Sequence, residues 1–220
     1  MRIAIFPTQT YKTVTVRALI FDFDGVLVNT EPFHMKAWQE VTAELGFSFT
    51  LDEYNARYIG LNDRDFIARL CEDKKYPLPE KLSKELIHKK ATKTREIFSR
   101  TIPMIEGSEE FLKKSAKKYP LALVTGGLPD EVYFILDKKD WRKLFSAIVT
   151  SGDVTKGKPD PEGFLKAFDA LQNACKWSPP LKKEECLIFE DSAHGSEAAK
   201  RAGIPCWIIK NTFVGITESL

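Results

Sequence analysis

The stretch ALIFDFDGVLVNTEP, residues 18–32, decides how this chain is read. An apolar run meets two carboxylates, Asp22 and Asp24, one residue apart, and Gly25 follows at once. A buried strand is a costly place for a charge unless something compensates it. Either the strand ends here in a turn, where Asp and Gly are common and the acids face water, or the two acids hold something.

Working outward, VRALIFDFD has the β-rich look of a buried parallel strand ending at Asp22. Similar runs follow: LALVTGG (121–127), FSAIVTSGDV (145–154), ECLIFEDS (185–192) and IPCWIIK (204–210). Each comes after a helix-like segment. This alternation predicts an α/β fold with a Rossmann-like, doubly wound parallel sheet and helices on both faces.

Residues 30 to about 100 break the alternation, because no convincing strand separates their helical segments. EPFHMKAWQEVTAELG spaces Phe33, Ala37, Val41 and Leu45 by four and stops at Gly46. NDRDFIARLCED and PEKLSKELIHKKATKTREIFSR supply further helices, the second opened by Pro79 and rich in lysines expected to be exposed. The expected organisation is an α/β core domain, residues 1–29 and 103–220, interrupted by an all-helical cap domain, residues 30–102. Ligands of open α/β sheets bind outside the carboxyl ends of the strands, so an insert leaving from such an end is expected to act as a lid.

Composition narrows the function classes. The chain has 220 residues, 43% of them hydrophobic, enough for a substantial core. Lys and Arg number 33 against 31 Asp and Glu, which gives no electrostatic case for nucleic acid or an anionic membrane as partner. Cys71, Cys175, Cys186 and Cys206 are widely separated with no C-x-x-C pair, so neither a zinc site nor a disulfide framework is indicated and a cytoplasmic location is expected. The residues before the first strand match neither a signal peptide nor a membrane span and exceed what this kind of domain needs. Few residues follow IPCWIIK. A monomer is expected, with a dimer left open.

Polar groups fall at the carboxyl ends of the inferred strands: Asp22 and Asp24; Thr125 with Gly126 and Gly127; Lys158 in KGKPDPEGF; Glu190 and Asp191 in IFEDS. The strand ends of one parallel sheet converge on one crevice. Up to four carboxylates there require neutralising cations, and oxygen ligands without His or Cys favour Mg²⁺. A fixed lysine, a hydroxyl and free backbone N–H groups beside a hard cation form a cradle for a phosphoryl group. Phosphoryl transfer follows as the reaction class. Asp22 can attack phosphorus to give an aspartyl phosphate, while Asp24 protonates the leaving oxygen and then activates water.

In this order, DFDGVLVNT, VTGG, GKPDPEGF and FEDS resemble the four motifs of the haloacid dehalogenase superfamily, and the match spans nearly the whole chain. The helical insert resembles the C1 cap of its β-phosphoglucomutase-like and phosphoglycolate-phosphatase-like branch. The resemblance implies that Asp22 is the nucleophile and Asp24 the general acid/base. It further implies Mg²⁺ bound by the Asp22 carboxylate, the Asp24 backbone carbonyl and Asp191, with Glu190 beside them. Thr125, with Gly126 in the same turn, would contact the transferring phosphoryl, and Lys158 would hold its charge against Asp22. Family members that cleave carbon–halogen or carbon–phosphorus bonds lack the second acid, so Asp24 argues against both chemistries.

Bland readings accompany the rest. KPDP also suits a helix start, with Pro161 and Glu162 in the first turn, and EDSAHG also suits a helix N-cap. Lys113, Lys114, Lys117 and Lys118 recur at helical spacing as a solvated face, and His194 reads as structural or surface. His34, one turn before Trp38, is either a packing residue or, as in some cap-bearing mutases, a substrate-binding one. In the cap loop YIGLNDRDF, Arg64 is the natural anion holder, although an ungapped match to the mutase pattern puts Asp63 at the arginine position.

The leading expectation is a Mg²⁺-dependent phosphatase for a small phosphorylated metabolite, a sugar phosphate or a phosphoglycolate-like acid. A phosphosugar mutase is the alternative. Such mutases usually carry a Lys soon after the motif-two Ser/Thr, and VTGGLPDE offers Leu128 and Pro129 instead. A non-catalytic phosphate-binding protein on the same fold is the third reading, opposed by the presence of every motif residue.

Overall fold

The computed structural model describes residues 15–59, 61–175 and 177–209. The N-terminal extension before Thr15, Gly60 of the cap loop and everything beyond Ile209 lie outside the described residues. The chain divides into two compact units, Met1–Asn29 with Met104–Leu220, and Thr30–Pro103.

In the first unit, five strands form one parallel sheet: β1 (Ala18–Phe21), β2 (Leu121–Val124), β3 (Ala147–Val149), β4 (Cys186–Glu190) and β5 (Cys206–Ile208), in the order β3-β2-β1-β4-β5. β1 lies at the centre because its four residues are apolar and fully buried, as a strand covered on both faces must be. Its neighbours β2 and β4 are its successors on opposite sides, so β1 marks the point where the winding reverses. Phe21 is level with Leu123 on one side and Phe189 on the other. Hence Asp22, Thr125 and Glu190 come out together at one edge. β3 is shorter than the run FSAIVTSGDV suggests. Thr150 stops it by directing its N–H and Oγ1 to the Asp153 carboxylate at 2.8 and 2.7 Å, which winds the next residues into a 3₁₀ turn.

The second unit is all helix: α1 (Glu31–Ala43), α2 (Leu51–Arg57), α3 (Asp63–Asp73) and α4 (Glu80–Arg100). α2 was absent from the sequence reading although its signal is local. Thr50 and Glu53 form a reciprocal capping box, at 3.1 Å from Glu53 N to Thr50 Oγ1 and 2.8 Å from Thr50 N to Glu53 Oε2. Asn62 caps α3 through its side chain. Trp38 stacks on Phe66 at 4.5 Å, and Phe49, Tyr54, Tyr58 and Leu70 complete an aromatic core.

Back in the first unit, α5 (Ser108–Ala116), α6 (Pro129–Lys138), α7 (Glu162–Ala174) and α8 (Ala193–Ala202) flank the sheet. Alternation along the strands sends Ala18, Ile20, Val124 and Ile188 to the face covered by Phe164 and Leu171 of α7 and Ala198 of α8. On the opposite face Phe21, Phe189 and Phe111 of α5 meet at centroid distances of 5.0–5.9 Å. The two ends of the insertion are held side by side within this unit. Val28 and Met104 form an antiparallel bridge, Ile105 N–H donates to Leu27 O at 3.2 Å, and Ser108 Oγ donates to the same oxygen at 2.8 Å.

All four cysteines are free thiols. Among the described residues no helix is long and apolar enough to cross a membrane.

Candidate active site

β1 ends at Phe21, and Asp22 N–H still reaches Phe189 O at 2.9 Å, so the Asp22 carboxylate leaves the sheet with its backbone pinned. The chain then folds tightly: Leu27 N–H and Val28 N–H both donate to Phe23 O, and Gly25 N–H donates to Val28 O at 2.7 Å. Gly25 has φ +74°, and a Cβ there would stand 1.8 Å from Asp191 Oδ2. The turn reading of DFDG is realised, and the turn lies against a further acid, Asp191.

Lys158 reaches in from the loop before α7. Its Nζ lies 2.7 Å from Asp22 Oδ1 and 2.5 Å from Glu190 Oε1. Thr125, buried at the end of β2, donates its backbone N–H to Val149 O, and its Oγ1 accepts from Gly127 N–H at 2.9 Å. Gly126 stands exposed with open space beside its Cα. A Cβ on Gly127 would lie 3.9 Å from Asp24 Oδ2, which places the Asp24 carboxylate on the Thr125 side. One edge of the sheet thus brings together Asp22, Asp24, Thr125, Gly126, Lys158, Glu190 and Asp191.

The charges do not balance. Burial raises the Asp22 pKa, Glu190 and Asp24 push the same way, and Lys158 opposes them. Burial lowers the Lys158 pKa, but Asp22 and Glu190 more than offset it, so the ammonium is kept charged. Carboxylate oxygens of Asp22, Glu190 and Asp191 lie within 4.8 Å of one another. A net-negative, oxygen-only cluster of that size fits a hard divalent cation.

His34 and Arg64 belong to the helical unit. Half-buried His34 packs edge-on to Phe98 with its ring centroid at 5.9 Å, and its Nδ1 is buried without a hydrogen-bond partner. Arg64 is exposed, whereas Asp63 beside it pairs with Lys90 at 2.8 Å. Lys90 corrects one expectation: on a helix read as rich in exposed lysines, its side chain is only 3% exposed. The clue was present, since Leu86, Lys90, Thr94 and Phe98 recur every four residues as the buried stripe of α4. Ser192 caps α8, as the N-cap reading of EDSAHG expects, but its hydrogen bonds to Glu190 and the close approach of Gly195 to that carboxylate escaped the sequence reading. His194 is exposed, and so are Lys113, Lys114, Lys117 and Lys118, two of them paired with Glu109 and Glu110.

Burial and then Lys90 hold the His34 imidazole well below its ordinary pKa near 6.5. The unfolded chain therefore binds a proton that the folded one refuses, and stability falls as pH drops below that value. The expected slope is at most about 1.4 kcal/mol per pH unit. Urea midpoints at pH 7, 6 and 5 for wild type and His34→Phe would check it: the variant is expected to lose that component of the slope.

The haloacid dehalogenase-like hydrolase family matches residues 19–209. The chain is 31% identical to a phosphorylated carbohydrates phosphatase of Thermotoga maritima over 86% of this chain and 82% of that protein. It is 28% identical to the fructose-1-phosphate phosphatase of Escherichia coli over 84% of this chain and 92% of that protein. The fold is similar to the crystal structure of CbbY from Rhodobacter sphaeroides in complex with phosphate, with a TM-score of 0.77 at 23% identity, over 93% of this chain and 90% of the other. The family match runs from the first strand through the insert to the last described residue, so the chain belongs to the haloacid dehalogenase-like hydrolases.

Proposed function

We propose that the protein is a Mg²⁺-dependent phosphatase that hydrolyses a small phosphorylated metabolite, a sugar phosphate or a phosphoglycolate-like acid, through an aspartyl phosphate on Asp22. The observation that carries this reading is the placement of Asp22, pinned at the end of the central strand with Lys158 Nζ at 2.7 Å. The two relatives named as a phosphorylated carbohydrates phosphatase and a fructose-1-phosphate phosphatase support it.

An Asp22 oxygen attacks phosphorus, the bond from phosphorus to the leaving oxygen breaks, and Asp24 gives its proton to that oxygen. Asp24, now a carboxylate, takes a proton from water as the water oxygen attacks phosphorus. The Asp22–phosphorus bond breaks, releasing inorganic phosphate and restoring both side chains. Lys158 holds the phosphoryl charge, and the Thr125 hydroxyl with the Gly126 backbone positions its oxygens. The Asp22 carboxylate, the Asp24 carbonyl and Asp191 would hold Mg²⁺, which when bound neutralises charge on the phosphoryl oxygens. His34 and Arg64 are the proposed substrate-binding residues of the helical unit.

The turn after Thr125 favours hydrolysis over the mutase alternative. Leu128 is exposed, and Pro129, Asp130 and Glu131 open α6, so the turn adds acids and no cation to hold a second phosphate.

Phosphate release from a panel of sugar phosphates, phosphoglycolate and nucleotides, with Mg²⁺ or with EDTA, tests the proposal. Release on at least one substrate, lost in EDTA, is the expected outcome; none on any substrate would overturn it. Gly25→Ala adds a local check. The positive φ alone costs an alanine about 1–2 kcal/mol, and the methyl displaces the Asp191 carboxylate. Turnover is expected to fall about 100-fold with a raised Mg²⁺ requirement, read from activity against Mg²⁺ concentration.

A further inference from the structure

We infer that Glu162 is a positioning residue for Lys158: together with Lys166 it clamps the exposed loop from which the ammonium reaches Asp22. The inference rests on the proposed reading of this site and gives Glu162 a part that a helix start alone does not require.

Between the 3₁₀ turn after β3 and the first turn of α7, residues 154–161 belong to no helix or strand, and Thr155, Lys156 and Gly157 are exposed. Apolar burial cannot fix such a stretch, so its hydrogen bonds must. Glu162 receives them. Thr155 N–H donates to its Oε1 at 3.0 Å and to its Oε2 at 3.1 Å, and Lys156 N–H donates to Oε2 at 2.9 Å. One turn further along α7, Lys166 Nζ donates to Glu162 Oε1 at 2.7 Å and to Asp153 O at 2.5 Å. Beyond Lys158, Asp160 N–H donates to Gly157 O and Asp160 Oδ1 accepts from Glu162 N–H, both at 3.0 Å. The loop is thus tied to α7 on both sides of Lys158.

The loop amides share one charged acceptor, which makes their bonds stronger than neutral ones. Lys166 first, and then those amides, lower the Glu162 pKa to about 2, so the acceptor stays ionised.

The helix end that holds the loop is itself fixed. A Cβ on Gly163 would stand 2.9 Å from Val124 Cγ1 and 3.7 Å from Val154 Cγ1, so the α7 backbone lies directly against the end of β2. Beside it, the ring of buried Phe164 has its centroid 5.2 Å from Lys158 Nζ. Support therefore runs from β2 through the first turn of α7 and Glu162 to the loop, and from the loop to an ammonium 2.7 Å from Asp22 Oδ1. Glu162 acts on the reaction through the backbone that carries Lys158.

The test compares Glu162→Gln, Lys166→Met, Lys158→Met and the double variant Glu162→Gln/Lys158→Met with wild type. Hydrolysis of p-nitrophenyl phosphate gives kcat and KM, and urea unfolding gives stability. Glutamine keeps the shape of Glu162 but turns an NH₂ toward amides that need an acceptor. Its kcat is expected to fall about 100-fold, the scale of a 1 Å misplacement, with KM changed less than about 3-fold. Lys166→Met retains the acid and is expected to lower kcat about 10-fold. A merely local structural role is separated by the urea cycle. The midpoint shift of the double variant is expected to fall short of the sum of the two single shifts, because the first change already loosens what the second removes. Full additivity, a double variant too unstable to fold included, would overturn the inference, and so would an unchanged kcat in Glu162→Gln. A wild type that hydrolyses no phosphate ester counts against the phosphatase reading, and the urea cycle then decides the role of Glu162 by itself.

Discussion

Replacing Asp22 by Asn is expected to lower phosphate release by at least about 10⁴-fold, on the scale seen when a nucleophile is removed, while the fold survives. Asn has the same shape and its side-chain oxygen can still accept from Lys158, so the sheet edge loses a charge and little packing. Burial, Glu190 and Asp24 already disfavour the ionised form of Asp22. A neutral group there is consequently well tolerated, and the thermal midpoint should move by no more than about 4 °C. Phosphate release and a thermal melt on the same preparation check both halves. Acid-quenched protein should carry covalent phosphate in the wild type and none in the variant. A variant that kept a tenth of the activity would place the nucleophile elsewhere.

Lys158→Met is expected to have the largest effect on stability. It leaves Asp22 and Glu190 as two buried carboxylates sharing no cation, and breaking a buried pair in this way costs about 3–5 kcal/mol. Turnover should be lost as well, because among the described residues no other cation is paired with Asp22 at the sheet edge. The deficit depends on pH with a definite sign. Carboxylates stripped of their cation have folded pKa values above their unfolded ones, so the variant is least impaired where both states are protonated and loses stability as pH rises. Urea unfolding at pH 5 and pH 8 would measure this, with the deficit larger at pH 8. Adding Glu190→Gln to Lys158→Met should recover part of it. A deficit below about 1 kcal/mol would mean that the three charges are less strongly coupled than their distances of 2.5 and 2.7 Å require.

Much of this arrangement was legible in the sequence for simple reasons. The strands are short, apolar and spaced by helices, and a parallel sheet brings their carboxyl ends to one edge, so Asp22, Thr125, Lys158 and Glu190 could be grouped without coordinates. What the residues did not disclose was direction. Nothing in EDS says that Glu190 turns toward Lys158, since that depends on Ser192 Oγ and on the room left at Gly195. Lys90 was hidden for a related reason. In a run of lysines, composition predicts water, and only the four-residue spacing with Leu86, Thr94 and Phe98 marks it as buried. β3 was read too long because Thr150 and Asp153 look like strand continuation until their hydrogen bonds close a turn.

The bridge between Val28 and Met104 also bears on how the chain can be edited. Both ends of the Thr30–Pro103 segment are fastened to the core at neighbouring points. Closure entropy grows only logarithmically with loop length, about 0.6 kcal/mol per doubling. The segment between those two anchors is therefore a modular cassette that can lengthen, shorten or be exchanged for another without unpicking the sheet, and a transplant made at this junction should leave the carboxyl edge of the sheet in register.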